Sequence, residues 1–161
     1  MSVSFSESKT KENLMRAFAG ESQARNRYTF AAQKAKSDKL HIIEAIFTFT
    51  ASQEQAHAKV YYDYLTELSG TKIEIDGTYP VDIYDNVFKL LRSSQNNEYE
   101  EYNDVYKNFA EIAKEEGFDE ISNTFKMISE VEKTHGDRFS MYADLIEQNK
   151  LFISDVDTKW M

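Results

Sequence analysis

Two stretches with helical periodicity carry ionisable residues where their core-facing stripe should be apolar. Read every three or four positions, one stripe is Ile121, Phe125, Ile128, Glu132, His135, Phe139, Tyr142 and Ile146. The other is Leu40, Ile43, Phe47, Thr50, Glu54, His57, Tyr61, Tyr64 and Leu68. This spacing puts each set on one face of a helix. Both stripes are apolar at their ends and hold a Glu-x-x-His step in the middle. A buried carboxylate is strongly disfavoured unless it is paired or bound to a metal. Two such steps at matching depth point to a metal site inside a helix bundle.

Two further stretches complete a set of four. The first runs from about Lys9 to Lys36, with Leu14, Ala17, Glu21, Ala24, Tyr28, Ala31 and Ala35 on one face. Ser37 or Asp38 is the expected cap of the second helix, which reaches about Leu68. The third spans about Asp82 to Glu116, with Tyr84, Val87, Leu91, Ser94, Glu98, Glu101, Val105 and Ile112 on its inner face. Gly117 is the expected stop, Asp119 the expected cap of the fourth helix, and Asn149 its approximate end. Short connections make each sequential pair an antiparallel hairpin. Residues 69–81, with Gly70, Gly77 and Pro80, are long enough to cross the bundle. The expected fold is therefore all-α: a ferritin-like four-helix bundle of two antiparallel hairpins joined by one long crossover. Residues 1–150 form this domain, and residues 151–161 a short tail.

The totals narrow the chemistry. With only 5 glycines and 1 proline in 161 residues, strand-rich folds are disfavoured. A net charge of −9 disfavours nucleic acid and anionic membranes as partners. The absence of cysteine excludes disulfides, thiolate zinc sites and cysteine-ligated clusters. No leader-like apolar run opens the chain and no stretch has the length of a membrane span, so a cytoplasmic location is expected.

The polar residues of the four stripes form one constellation. Glu54 and His57 come from the second helix, Glu132 and His135 from the fourth, Glu21 from the first, and Glu98 with Glu101 from the third. Carboxylates combined with imidazole suit iron or manganese. One Glu on each of two helices and Glu-x-x-His on each of the others is the layout known for di-iron and di-manganese bundles. Exposed helix ion pairs are the bland alternative, and the apolar residues flanking every step argue against it. His41 falls off the stripe and suits the surface. Glu44, Glu100 and Glu130 point to solvated faces. Tyr28 and Tyr106 are placed to donate hydrogen bonds to ligand carboxylates, although a purely packing role is equally open. The two halves form a weak repeat, and superposing them on Glu21 and Glu98 sets Glu101 against Ala24. Glu101 is thus one carboxylate more than symmetry requires. A surplus ligand lets one metal change partners as its charge changes.

With these residues in view, the chain resembles the rubrerythrin family along nearly all of its length. The resemblance rests on Ala-Gly-Glu-Ser-Gln-Ala-Arg-Asn-Arg-Tyr (19–28), Glu-Gln-Ala-His (54–57), Glu-Tyr-Glu-Glu (98–101), Phe-Ala-Glu-Ile-Ala-Lys-Glu-Glu-Gly-Phe (109–118) and Glu-Lys-Thr-His (132–135). It implies two non-haem iron ions, with manganese as the alternative. It implies that Glu54 and Glu132 bridge the metals, that Glu98 and His135 end on one iron and Glu21 on the other, and that Glu101 and His57 exchange on that second iron with redox state. The implied activity is reduction of hydrogen peroxide to water in oxidative-stress defence, with Glu101 and His57 as the catalytic pair. The implied partners are a rubredoxin-like electron donor and a second copy of the chain, a homodimer in which hairpin exchange through the crossover is an option. Most members continue into a rubredoxin domain. Here Thr-Lys-Trp-Met (158–161) resembles the junction before it: either the sequence is cut at that junction, or the protein takes electrons from a separate donor. A ferritin-type iron store, a di-manganese catalase-like site and a metal-free structural bundle are the rival readings.

Overall fold

A computed structural model describes residues 3–153, and the tail residues 154–161, Trp160 among them, lie outside this range. The first helix, α1 (Lys9–Ser37), starts at Ser8, whose hydroxyl accepts the Lys11 N–H at 3.0 Å. Its N-terminus is also held by Glu116, which accepts the N–H groups of Lys9 and Thr10 at 2.9 and 2.8 Å. A carboxylate at this point satisfies orphan donors and the positive end of the helix dipole.

The second helix, α2 (His41–Asp63), has Leu40 at its N-cap position and no side-chain cap. Neither Ser37 nor Asp38 caps it. Ser37 ends α1, the Asp38 N–H bonds back to Lys34 O, and Lys39 turns the chain at φ 61°. This helix stops at Asp63 rather than Leu68, because a separate 3-10 turn (Thr66–Leu68) takes over and Leu65 enters the core.

The third bundle helix also departs from expectation. It begins as α3 (Val87–Glu100), five residues later than its stripe implied, because Asn86 caps it through the Lys89 N–H at 2.9 Å. Asp82, the expected start, instead accepts from Asn97 at 2.7 Å and pairs with Arg27 at 3.3 Å. Tyr84 consequently stays 42% exposed and is not a core residue. A π-helical turn, Glu101–Val105, interrupts the helix before it resumes as α4 (Tyr106–Glu116). Gly117 ends α4 as expected, at φ 91°, with the Phe118 N–H on Ala113 O at 2.8 Å. The last helix, α5 (Asp119–Glu147), has Phe118 at its cap position, and Asp119 pairs instead with Lys114 at 2.7 Å.

No strand occurs among the described residues. α1 packs along α2, α3 and α4 pack along α5, and the two hairpins close on each other as a ferritin-like four-helix bundle. The core divides into two apolar clusters. One holds Ala24, Tyr28, Phe47, Leu91 and Phe139. The other holds Leu14, Tyr61, Tyr106, Ala110 and Phe125. Rings touch within each, as between Phe47 and Phe139 (centroids 5.1 Å apart) and between Tyr61 and Phe125 (also 5.1 Å). Burial of each such side chain contributes about 1.5–3 kcal/mol. The clusters therefore supply stability on both sides of a polar belt that does not.

Gly136 of α5 leaves room for the ring of Tyr99 on α3. A Cβ there would lie 2.6 Å from Cε1 and 2.7 Å from Cδ1 of Tyr99, whose hydroxyl donates to Asp137 at 2.7 Å. Alanine would improve helix propensity by roughly 0.5–1 kcal/mol, but overpacking costs about 1–3 kcal/mol. Gly136→Ala is expected to lower stability in urea unfolding. Introduced together with Tyr99→Ala, the same change should become neutral or stabilising.

Candidate metal centre

The belt between the clusters is built by one polar residue per turn on otherwise apolar helix faces. Glu21, Glu54, Glu98, Glu132 and His135 are at most 1% exposed, and His57 retains 12% side-chain exposure. Their atoms are arranged in two groups. Nδ1 of His57 lies 2.9 Å from Oε1 of Glu132, 3.4 Å from Oε2 of Glu54 and 3.8 Å from Oε2 of Glu21. Nδ1 of His135 lies 2.8 Å from Oε2 of Glu132, 3.0 Å from Oε1 of Glu54 and 3.2 Å from Oε2 of Glu98. Glu54 and Glu132 thus offer one oxygen to each group. Within each group the ligand atoms lie within 4.8 Å of one another, close enough to hold a metal ion.

Two tyrosines brace the outer carboxylates. Tyr28 of α1 donates its hydroxyl to Oε1 of Glu98, and Tyr106 of α4 donates to Oε1 of Glu21. Each leaves the other oxygen of its carboxylate turned toward the centre. The two bonds run in opposite directions between the hairpins and give the site an approximate two-fold symmetry. Glu21 and Tyr28 are seven residues apart, whereas Glu98 and Tyr106 are eight apart. The π turn absorbs the additional residue, so that Tyr106 still faces inward. Ser129 donates to the carbonyl of Tyr102 within that turn, at 3.2 Å.

Electrostatics mark the belt as a place for cations. Both oxygens of Glu54 and of Glu132, Oε2 of Glu21 and Nδ1 of His57 lack a well-aligned hydrogen bond. Such crowding of acceptors is costly without positive charge. Burial, then the fields of Glu132 and Glu54, pushes the Glu21 carboxyl well above its ordinary range. Burial, then the field of Glu54, raises Glu98 to about 8. Burial alone would raise Glu54 too, but the close imidazoles of His135 and His57 bring it down to about 2. Burial works against charge on the histidines, yet contact with Glu132 and Glu54 raises His57 to about 9 and His135 to about 12. The protein thus holds protons where a metal ion would otherwise supply the positive charge. The donor set and its unmet acceptors fit metal ions of the iron or manganese type.

Glu101 stands apart. It opens the π turn, its oxygens join neither group, and it lines a cavity beside Tyr106. Burial, followed by the fields of Glu98, Glu132 and Glu54, raises its carboxyl well above the usual range. His41 sits on the surface with Glu44, 3.1 Å away, and Glu100 and Glu130 are exposed. Reading by period alone missed two features here. Tyr61, taken only as a stripe residue, faces the belt: burial and then the fields of Glu21 and Glu132 raise its phenol. The π turn was signalled solely by the one-residue excess between Glu98 and Tyr106. No helix among the described residues is long and apolar enough to cross a membrane.

Known proteins share this fold and sequence. The rubrerythrin family model matches residues 12–143. Rubrerythrin-1 of Clostridium acetobutylicum is 43% identical over 154 residues, covering 94% of this chain and 78% of that protein. The rubrerythrin of Nitratidesulfovibrio vulgaris is 40% identical over 153 residues, covering 95% and 78%. Among solved structures, the fully reduced, all-ferrous form of nigerythrin superposes with a TM-score of 0.76 at 29% identity, over 88% of this chain and 71% of that one. The chain therefore belongs to the rubrerythrin family.

Proposed function

We propose that this protein is a non-haem di-iron peroxidase that reduces hydrogen peroxide to water in oxidative-stress defence. The observation that carries the reading is the pair of four-residue groups sharing Glu54 and Glu132. In this reading Glu54 and Glu132, which belong to both groups, would help to hold each of two irons. Glu21 and His57 complete one ligand set, and Glu98 and His135 the other. The four carboxylates carry four negative charges, which two divalent ions neutralise. Bound iron would supply one electron per ion and Lewis acidity for the departing oxygens, peroxide taking up two electrons and two protons to leave as two waters, with electrons restored by a rubredoxin-like donor.

The protein's own groups position and protonate. Tyr28 and Tyr106 fix the outer carboxylates, so each keeps one oxygen free for a ligand role. Glu101 holds a proton beside the cavity and can deliver it to a leaving oxygen. Glu101 sits one helical turn from Glu98 and, once deprotonated, could turn inward and would then help to hold a metal ion in place of His57. The support for this exchange is that His57 stands within its group while Glu101 stands outside.

Mixing anaerobic, reduced, iron-loaded protein with peroxide or with dioxygen tests the reading. Oxidation by peroxide should be the faster; a rate no greater than that with dioxygen defeats it. Iron uptake far beyond two ions per chain would favour storage instead. Glu101→Gln should keep loading with ferrous iron, since neither four-residue group includes this residue, yet slow the peroxide reaction by about 100-fold.

Stability should also respond to pH in a set direction. Glu98 is raised from 4.5 to about 8 and His57 from 6.5 to about 9, so the folded metal-free protein keeps protons that the unfolded chain has lost. Stability then falls as pH rises across that window. Glu54, lowered to about 2, acts only on the acid side, where its contribution is lost as pH falls below 4.5. Metal binding displaces the same protons. The excess in Tm of metal-loaded over metal-free protein should widen from pH 5 to pH 9; a gap independent of pH would contradict the proposed ligand set.

A further inference from the structure

Beside Glu101 lies a cavity of about 160 Å³, between α1, the π turn and the crossover. This is well above the roughly 10–15 Å³ that one water requires. Its inner wall includes Gly20, Glu101 and Tyr106, and Gln23 and Asn97 give it a polar side. Its outer wall is the crossover segment Gly77–Pro80. That segment is fastened as a strap. Arg16 donates from Nε to the Asp76 carbonyl at 3.0 Å and pairs with the Asp76 carboxylate at 2.7 Å. Tyr79 donates its hydroxyl to the Arg16 carbonyl at 3.1 Å. The Tyr79 ring is 39% exposed and stands over Gly20, where an added Cβ would meet Cε1 at 3.7 Å. The same ring lies against Gly77. Along the bundle axis the belt is closed by the two aromatic clusters, so a reactant reaching Glu101 by this route comes from the side.

We infer that the cavity beneath the strap is the entrance through which a small polar oxidant reaches Glu101, and that Tyr79 sets its size limit. This inference rests on the peroxidase reading for the identity of the oxidant. Hydrogen peroxide passes beside the ring and along the polar side formed by Gln23 and Asn97. A bulky organic hydroperoxide is excluded by the ring, which fills the space that Gly20 and Gly77 leave. Tyr79 is in this sense a specificity-determining residue that belongs to neither ligand group. Removing its ring opens the passage without altering any of the six clustered residues.

Two readouts separate the entrance from the chemistry. In the first, reduced iron-loaded protein is oxidised by hydrogen peroxide or by cumene hydroperoxide. Tyr79→Ala should raise the rate constant for cumene hydroperoxide relative to that for hydrogen peroxide on the order of ten-fold. An unchanged ratio overturns the inference. The second needs neither metal nor turnover. The chain has no cysteine, so Gly20→Cys places a single thiol beneath Tyr79 in the metal-free protein. Iodoacetamide should label it readily and a bulky maleimide slowly. Adding Tyr79→Ala should speed the maleimide on the order of ten-fold while changing iodoacetamide little. Equal labelling by both reagents before Tyr79 is removed, or no acceleration afterwards, overturns the inference whatever the activity. Should Gly20→Cys fail to fold, Ala17→Cys, another lining position, takes its place. If hydrogen peroxide does not oxidise the parent protein, the peroxidase reading fails, and the thiol labelling still decides the entrance.

Discussion

Mutual repulsion among buried carboxylates is the constraint on which the rest of this structure depends. Four glutamates converge at the centre of the bundle, and both oxygens of Glu54 and of Glu132 and one of Glu21 lack aligned hydrogen bonds. In water such groups are well solvated; inside a bundle they are stable only with added protons or cations. The metal-free protein uses protons, as the raised Glu21 and Glu98 carboxyls and the two raised imidazoles indicate. Everything around the belt serves to hold that unfavourable arrangement in place. Aromatic clusters supply apolar burial on both sides, and Glu116 ties the end of α4 to the start of α1.

The site's symmetry follows from the same constraint. Each outer carboxylate needs a donor on one oxygen so that the other remains available. Tyr28 and Tyr106 provide these donors across the hairpin boundary. One additional residue in the third helix would have rotated Tyr106 away from the belt. The π turn takes up that residue and places Glu101 where the regular ladder is interrupted. The asymmetric carboxylate thus comes with local backbone irregularity and with an adjacent cavity, two properties that suit a group that moves or transfers a proton.

Much of the site was legible because helical period projects directly onto burial. Glu21, Glu54, Glu98, Glu132 and His135 are buried where the stripes placed them. Spacing offered Tyr28 and Tyr106 as donors to a carboxylate or as packing residues, and their actual partners, Glu98 and Glu21, lie across the hairpin boundary where period along one helix does not reach. What was illegible depended on contacts that period does not encode. Asp82 was read as a helix start, but a tertiary bond to Asn97 and a pair with Arg27 hold it outside α3, and Asn86 caps the helix instead. Ser37 and Asp38 looked like caps, yet the chain spends them on ending α1. The crossover gave no periodic signal at all, and only its fastening by Arg16 and Tyr79 reveals it as the wall of a cavity.

In the proposed reading this belt holds two metal ions that share Glu54 and Glu132. Anomalous diffraction from crystals of iron-loaded protein, recorded on both sides of the iron edge, tests it most directly. Two iron peaks are expected between those carboxylates, one beside Glu21 on the His57 side and one beside Glu98 and His135. A single peak, or iron bound only outside the belt, would contradict it.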